Sequence, residues 1–137
     1  MKQLGLASLK KKLDGLFCRF IRLRDIEKGC ISCGKRVAFG GAWHAGHYYP
    51  RSVSYASLYF DEMNVHGQCS HCNTFLEGNK QGYREGLIKR YGESILEHLE
   101  IKKTFRTRWG VFEYETLIER YKKLVKNYES RLRESGY

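Results

Sequence analysis

The sequence predicts an α+β fold, in which a short β-hairpin and four cysteines lie between N-terminal and C-terminal helices. Two observations carry this prediction. In residues 8–28 and 112–134, apolar residues recur at three- and four-residue steps, which is the spacing of one face of an α-helix. Between these segments, two Cys-x2-Cys pairs and a Gly-Gly dipeptide between apolar runs indicate metal-bound turns and a hairpin.

The chain of 137 residues contains one proline and is long enough for a single domain, 1–137. We expect a basic N-terminal helix in 1–29, a finger held by the cysteines in 30–92, and C-terminal helices in 93–137. The first helix is predicted over Ser8–Lys28, with its first residue as N-cap and the following glycine as its stop signal.

The formal charge of +10 is unevenly distributed along the chain. Residues 1–36 carry ten Lys/Arg against three Asp/Glu, residues 37–96 carry five of each, and residues 97–137 carry ten against seven. Clustered positive charge of this kind is used to bind phosphate backbones, although it also keeps an ordinary surface soluble. The residues of the first helix that we predict to contact DNA are Lys10, Lys11, Lys12, Arg19 and Arg22.

No stretch approaches the roughly 20 consecutive apolar residues of a membrane span, and the N-terminus lacks the layout of a cleavable signal. We therefore expect a soluble intracellular protein with no membrane partner.

The segment after the first helix predicts β-structure. Gly40-Gly41 lies between VAF and AWHAGHYY, which favours a hairpin with these two runs as its strands. A short strand is expected at LYF and a short helix from Ser70. Helices then resume near Lys80 and Glu93, and the longest covers Phe112–Glu134. The apolar stripe of this last helix packs either on the same domain or on a second copy of the chain.

Four cysteines form two matched pairs, Cys30-x2-Cys33 and Cys69-x2-Cys72, separated by 35 residues. Four thiolates at tetrahedral corners suit Zn²⁺, and a two-residue gap lets one tight turn present two sulfurs to one ion. Such a site has no open coordination position. We therefore predict a structural zinc site that stabilises the domain and performs no chemistry.

The order His47, Asn64, Asn73, with the cysteine pairs around it, resembles the HNH nucleases, also called His-Me fingers. The longer run CISCG…WHAGHY…LYFDEMNVHGQCSHCNTFLEGNKQGY, followed by LIKRYG and preceded by FIRLRD, resembles the phage NinG (Rap) recombination endonucleases. The similarity covers roughly residues 10–100. It implies a ββα-metal finger stapled by zinc in 30–92, and a metal-dependent DNA endonuclease.

The resemblance implies a role for each residue of this order. His47 is the general base at the end of the second hairpin strand, Asn64 holds the loop that orients it, and Asn73 is a ligand of Mg²⁺ or Mn²⁺. HNH enzymes usually have Asp or His before the base, but this chain has Gly46. Glu77, predicted to share a helix face with Asn73, is the preferred replacement ligand, and His44 is the second candidate. Taken singly, these residues also suit a hairpin, a turn and a helix cap.

Three further basic residues near this order, Arg51, Lys80 and Arg84, are predicted to contact phosphates. By resemblance, the substrate is branched DNA such as Holliday junctions and D-loops, and the protein is phage-encoded and cytoplasmic in its host. Symmetric cutting of a junction requires two active sites, so we expect a homodimer. Two other functions remain open: a non-catalytic, zinc-stapled DNA-binding or recruiting protein in recombination, and a protein-interaction module built on the C-terminal helix.

Overall fold

The computed structural model describes residues 4–136, which form a mixed α+β fold with a small two-stranded sheet. The predicted α+β class is therefore confirmed at this level. The elements are α1 (Leu6–Asp25), β1 (Trp43–His47), β2 (Val65–Cys69), α2 (Lys80–Tyr91), α3 (Ser94–Lys102) and α4 (Val111–Glu134). A 3₁₀ segment (Val53–Leu58) and a π-helical turn (His71–Phe75) lie between them. No helix within residues 4–136 combines the length and apolar character needed to cross a bilayer.

Helices α1 and α4 pack against each other and form the main apolar core. The prediction that α1 starts after Ser8 is wrong: the N-cap is Gly5, whose carbonyl accepts from Leu9 N at 3.0 Å. The helix also ends at Asp25, three residues before the predicted end, and a turn leads to Gly29 with φ of 82°. Because the left-handed region suits glycine, Gly29 ends this turn and not the helix itself.

The apolar stripe of α4 is buried inside this domain. Tyr114, Ile118 and Tyr121 pack with Phe17 of α1, whose ring meets the Tyr121 ring edge-on at 5.1 Å. Of the two alternatives for this stripe, the structure selects packing on the same domain. The alternative, that this stripe forms a dimer interface, is not selected, because α1 already covers it.

The sheet pairs β1 with β2 in antiparallel register, from Trp43 opposite Cys69 to His47 opposite Val65. The hairpin predicted between VAF and AWHAGHYY is wrong. Gly40 does form a turn, since its carbonyl accepts from Trp43 N at 3.1 Å, but Phe39 is an exposed loop residue that lies over Arg19 and Arg22. Trp43 and all of β2 are buried. The backbone hydrogen bonds of β1 are therefore made with β2 and not with the VAF run. His47 thus ends the first strand of the sheet.

The predictions for the two segments around β2 are also corrected. The strand expected at LYF is the end of the 3₁₀ segment and a turn, and VHGQC, directly after Asn64, forms β2. The helix expected from Ser70 is a single π-helical turn that ends at Phe75. Such turns are rare and short. This shortness affects the expected metal ligands.

Helix α2 rests directly on the two residues between the cysteines of the first pair. A Cβ at Gly86 would lie 1.8 Å from the carbonyl oxygen of Ile31, and a Cβ at Gly82 would lie 2.4 Å from that of Ser32. Glycine at these two positions is therefore required for the close approach. Together with α3, α2 buries a second core around Tyr83.

Candidate active site and metal centre

The four cysteines of the two pairs come together in one cluster. All four sulfur atoms lie within 4.8 Å of one another, and the Cys33 and Cys69 sulfurs are 3.8 Å apart. A tetrahedral ion with Zn–S bonds of about 2.3 Å requires sulfur separations of about 3.8 Å. Cys33 is exposed and the other three are buried. The donor set and its spacing fit a structural zinc ion.

Polar hydrogens surround the sulfurs of this cluster. The backbone N–H groups of Ser32 and Cys72 donate to the sulfurs of Cys30 and Cys69, each at 3.4 Å. The Asn79 side-chain amide donates to Cys72 Sγ at 3.4 Å. Burial raises the pKa of the Cys72 thiol to about 12, so a bound cation is needed to keep it as a thiolate at neutral pH.

Next to the second cysteine pair, the structure joins Asn73 to His44. The Asn73 side-chain amide lies 2.9 Å from Nδ1 of His44, and Nε2 of His44 lies 3.0 Å from the carbonyl oxygen of Gly41. A carbonyl only accepts, so Nε2 carries the hydrogen and Nδ1 presents its lone pair to Asn73. Both side chains are half-buried. One imidazole nitrogen and one side-chain amide thus face each other.

The preferred partner of Asn73, Glu77, is not on the same helix. The π-helical turn ends at Phe75, and Glu77 has φ of 50° in the left-handed region. The prediction that the two residues share a helix face is therefore wrong. Glu77 is exposed, and within residues 4–136 its side chain makes no hydrogen bond or ion pair.

The structure explains why Gly46 carries no side chain. A Cβ at this position would lie 2.0 Å from Oε1 and 2.9 Å from Cδ of Gln68. Gln68 is held there because its Nε2 donates to Ser32 Oγ at 2.8 Å and to the Gly78 carbonyl at 2.7 Å. The space that an acidic ligand would need is filled by a fixed glutamine.

His47 is half-buried, and its ring is oriented by a backbone carbonyl. Its Nε2 donates to the Tyr59 carbonyl oxygen at 3.1 Å, and the two rings meet edge-on. Since the carbonyl only accepts, Nδ1 carries the lone pair, and no group within residues 4–136 forms a hydrogen bond to it. Burial, followed by the charge of Arg51, lowers the pKa of His47 to about 4. At neutral pH the imidazole is therefore an uncharged proton acceptor.

Asn64 is fully buried and ties three loop segments together. Its Oδ1 accepts from Tyr49 N at 2.8 Å, while its Nδ2 donates to the carbonyls of Tyr49 at 3.0 Å and Leu58 at 3.1 Å. Tyr49 follows His47 by two residues, and Leu58 precedes the carbonyl that orients its ring. One side chain thus links both segments that position His47.

The predicted DNA contacts differ in their surroundings. Lys10, Lys11 and Lys12 are exposed on α1. Arg19 is paired with Glu129 at 2.8 Å. Arg22 lies over the Phe39 ring and Arg84 is exposed on α2.

Two further basic residues border His47. Arg51 contacts Asp14 at 3.3 Å and the Cys18 sulfur at 3.2 Å. Lys80 donates to the carbonyls of His47 and Tyr48, and burial lowers its pKa. Lys80 thus fixes the chain around His47.

The sequence-based prediction lacks one contributor to this site and leaves His66 between a structural and a phosphate-contacting role. The Tyr59 carbonyl is backbone, so no residue type marks it. His66 is fully buried with Nδ1 3.2 Å from the Tyr83 hydroxyl and Nε2 2.8 Å from that of Tyr91. Its place in β2, opposite Gly46, is a structural one.

Comparison with known proteins places the chain in a family. The profile described as "Bacteriophage Lambda NinG protein" matches residues 2–131. Proteins named "Protein ninG" from Escherichia phage 933W and Escherichia phage lambda are 38% and 36% identical over 108 residues, which is 79% of this chain and 52% and 51% of theirs. That of Salmonella phage P22 is 37% identical over the same share.

The chain spans about half the length of these curated relatives. No solved structure matches it. Because the family profile covers nearly the whole chain and these relatives are more than 30% identical over most of it, the chain belongs to the NinG family of bacteriophage proteins.

Proposed function

We propose that this chain is a metal-dependent DNA endonuclease that acts on branched recombination intermediates, such as Holliday junctions and D-loops. The observation that carries the proposal is the state of His47. Its Nε2 donates to the Tyr59 carbonyl at 3.1 Å, so Nδ1 presents the lone pair and the same contact fixes the orientation of the ring. A general base needs a free lone pair and a fixed orientation, and both conditions are met here.

In the proposed reaction, Nδ1 of His47 takes a proton from a water molecule. The water oxygen attacks the phosphorus, a new P–O bond forms, and the bond to one ester oxygen breaks. That oxygen leaves as an alkoxide or takes a proton from solvent. Asn64 and the Tyr59 carbonyl act as positioning groups, since they hold the ring without touching the substrate.

We assign His44 and Asn73 as the protein ligands of a divalent ion. A half-turn of the Asn73 amide exchanges its oxygen and nitrogen, which brings Oδ1 about 2.9 Å from His44 Nδ1. Neighbouring ligands of an octahedral ion with bonds of about 2.1 Å are about 3.0 Å apart. When bound, the ion stabilises negative charge on the phosphate and leaving oxygens. Because imidazole is a softer donor than oxygen, we expect Mn²⁺ to support activity better than Mg²⁺.

A structural zinc ion on the four cysteines supports this site, because Asn73 directly follows Cys72 in the chain. The zinc-bound turn thereby determines where the amide points. The exposed lysines of α1 (Lys10, Lys11 and Lys12) supply charge for the DNA backbone. Cutting both strands of a junction symmetrically requires two copies, so the active form is proposed to be a homodimer that uses a surface other than the α4 stripe.

The test is nicking of a four-way junction and a matched linear duplex with Mn²⁺ or Mg²⁺ added. His47→Ala is expected to lower the rate by a factor of about 10² to 10⁴, the range for loss of a general base. His44→Ala is expected to raise the Mn²⁺ concentration required. His98→Ala, on an exposed histidine of α3, is the matched control. Unchanged cleavage by the His47 variant refutes the base assignment.

The non-catalytic alternative, a zinc-stapled DNA-binding or recruiting protein, has one observation in its favour. His44 and His47 are three residues apart in one strand, so a regular strand places them on opposite faces with Cα atoms roughly 10 Å apart. One phosphate must then contact both His47 and the ion proposed at His44, around the end of β1. Salt-sensitive DNA binding without cleavage under either ion would select this alternative.

A further inference from the structure

A surface cavity of about 640 Å³ lies beside the 3₁₀ segment, away from the cysteines. Val53, Ser54 and Ala56 line one side, and residues 103–108 line the other. We call it the Val53–Phe105 surface. None of the sequence-predicted DNA contacts belongs to it.

Two apolar side chains on this surface face solvent. Val53 is 97% exposed and Phe105 is 56% exposed. Single exposed apolar residues are common, but two that flank one cavity form a site at which an apolar or flat group is favoured.

Every charged residue that lines the cavity is positive: Lys103, Arg106 and Arg108. Lys103 is paired with Glu100 at 2.8 Å. In the part of the chain that the structure describes, no ion pair engages Arg106 or Arg108, and both are exposed. The surface therefore matches an anionic partner.

Two hydrogen bonds connect the sides of the Val53–Phe105 surface, next to the segment that leads to the candidate base. Trp109 Nε1 donates to the Ala56 carbonyl at 3.0 Å, and Ser57 Oγ donates to the Lys102 carbonyl at 2.7 Å. The same 3₁₀ segment leads to Tyr59, whose carbonyl holds His47. The segment is kinked at Tyr55, and Val53 lies six residues before Tyr59 along the chain.

We propose that the Val53–Phe105 surface binds an unpaired or unstacked base of DNA, next to the phosphate that reaches His47. A base has a flat apolar face and an attached negative phosphate, which are the two features this surface complements. Phe105 stacks on the base, Val53 enters the gap that the base leaves, and Arg106 and Arg108 bind flanking phosphates. This inference rests on the proposed function and names the feature of branched DNA that the site recognises.

The test is DNA binding without added Mg²⁺ or Mn²⁺, so that no cleavage interferes. A duplex with two unpaired thymines is compared with a fully paired duplex of the same sequence. The double variant Val53→Ser, Phe105→Ser is expected to lose about tenfold in affinity for the unpaired DNA, the loss expected for one stacked base. Its affinity for the paired duplex stays within about twofold. Both residues are exposed, so the variant is expected to fold.

Phe112→Ser is the matched control, because Phe112 is 76% exposed and lies outside the cavity lining. It changes neither affinity. Arg106→Ala, Arg108→Ala weakens both DNAs equally and lowers the salt dependence of binding. Equal affinities of the wild-type protein and the double variant for the unpaired DNA would overturn the proposal, as would an equal loss on both DNAs.

These binding measurements, combined with the metal-dependent nicking assay on the same proteins, separate this inference from the nuclease proposal. A tenfold selective loss with no cleavage by the wild-type protein supports the surface and refutes the nuclease. Cleavage with the preference intact in the double variant refutes the surface alone. If the wild-type protein binds neither DNA, both proposals fail.

Discussion

Asn64→Ala tests whether one buried amide holds the candidate base in place. The change removes three hydrogen bonds and takes the side-chain partner from the N–H and carbonyl of Tyr49, while the Leu58 carbonyl keeps its bond from Asp61 N at 3.3 Å. A buried group left without its partner costs about 1–3 kcal/mol. The loop can relax and admit water, so we expect a total loss of about 3 kcal/mol in the free energy of unfolding rather than the full sum.

Urea denaturation with zinc present measures this loss. For a slope of about 2 kcal/mol per molar, the midpoint falls by about 1.5 M. Asn127→Ala, on an exposed residue of α4, is the control and stays within about 0.5 kcal/mol of wild type. Under conditions where the Asn64 variant remains folded, its nicking rate is also expected to fall, because the Tyr59 carbonyl is no longer held. A loss below 1 kcal/mol, or full activity in a destabilised variant, refutes this account of Asn64.

Three further predictions follow from the structure. Removal of zinc by a chelator is expected to unfold the finger cooperatively, and circular dichroism with and without added Zn²⁺ measures this; unchanged spectra would contradict the structural role. Burial, followed by the charge of Arg24, lowers the pKa of His66 to about 3. The stability that the neutral, buried imidazole of His66 contributes is therefore fully present above pH 6.5 and is lost as the pH falls. Between pH 6.5 and 4 the loss is about 3 kcal/mol, and His66→Gln should flatten that part of the stability curve; an unaltered slope argues against a neutral His66. Gly46→Asp is expected to lower the free energy of unfolding because of the clash with Gln68, and urea denaturation measures the loss; a stable variant would show that the strands shift.

Much of the helical structure could be predicted from the sequence, because burial along one helix leaves a local three- and four-residue pattern. The stripe of α4 and the start of α2 at Lys80 are examples. The cysteine pairs likewise indicate their own cluster, since each pair is a local turn. The partner of β1 could not be predicted in this way. The nearby VAF run is apolar enough for a strand, but Val65–Cys69 pairs with β1 because it is buried on both faces.

The candidate site was only partly predictable for a similar reason. The order of His47, Asn64 and Asn73 indicates a site. Every residue has a backbone carbonyl, however, so the residue types could not predict that the Tyr59 carbonyl orients His47. The choice between His44 and Glu77 depended on how far one helical turn continues after Cys72.

Local patterns in the sequence predict the four-cysteine cluster, the amphipathic helices at both ends and the His–Asn–Asn order between them. The strand that pairs with β1, the side chain that faces Asn73 and the nitrogen of His47 that keeps its lone pair are known from the fold alone. The difference arises from distance along the chain. Periodicity and turn spacing depend on neighbours a few residues away, whereas strand pairing, imidazole tautomers and space filled by Gln68 depend on groups that only folding brings together.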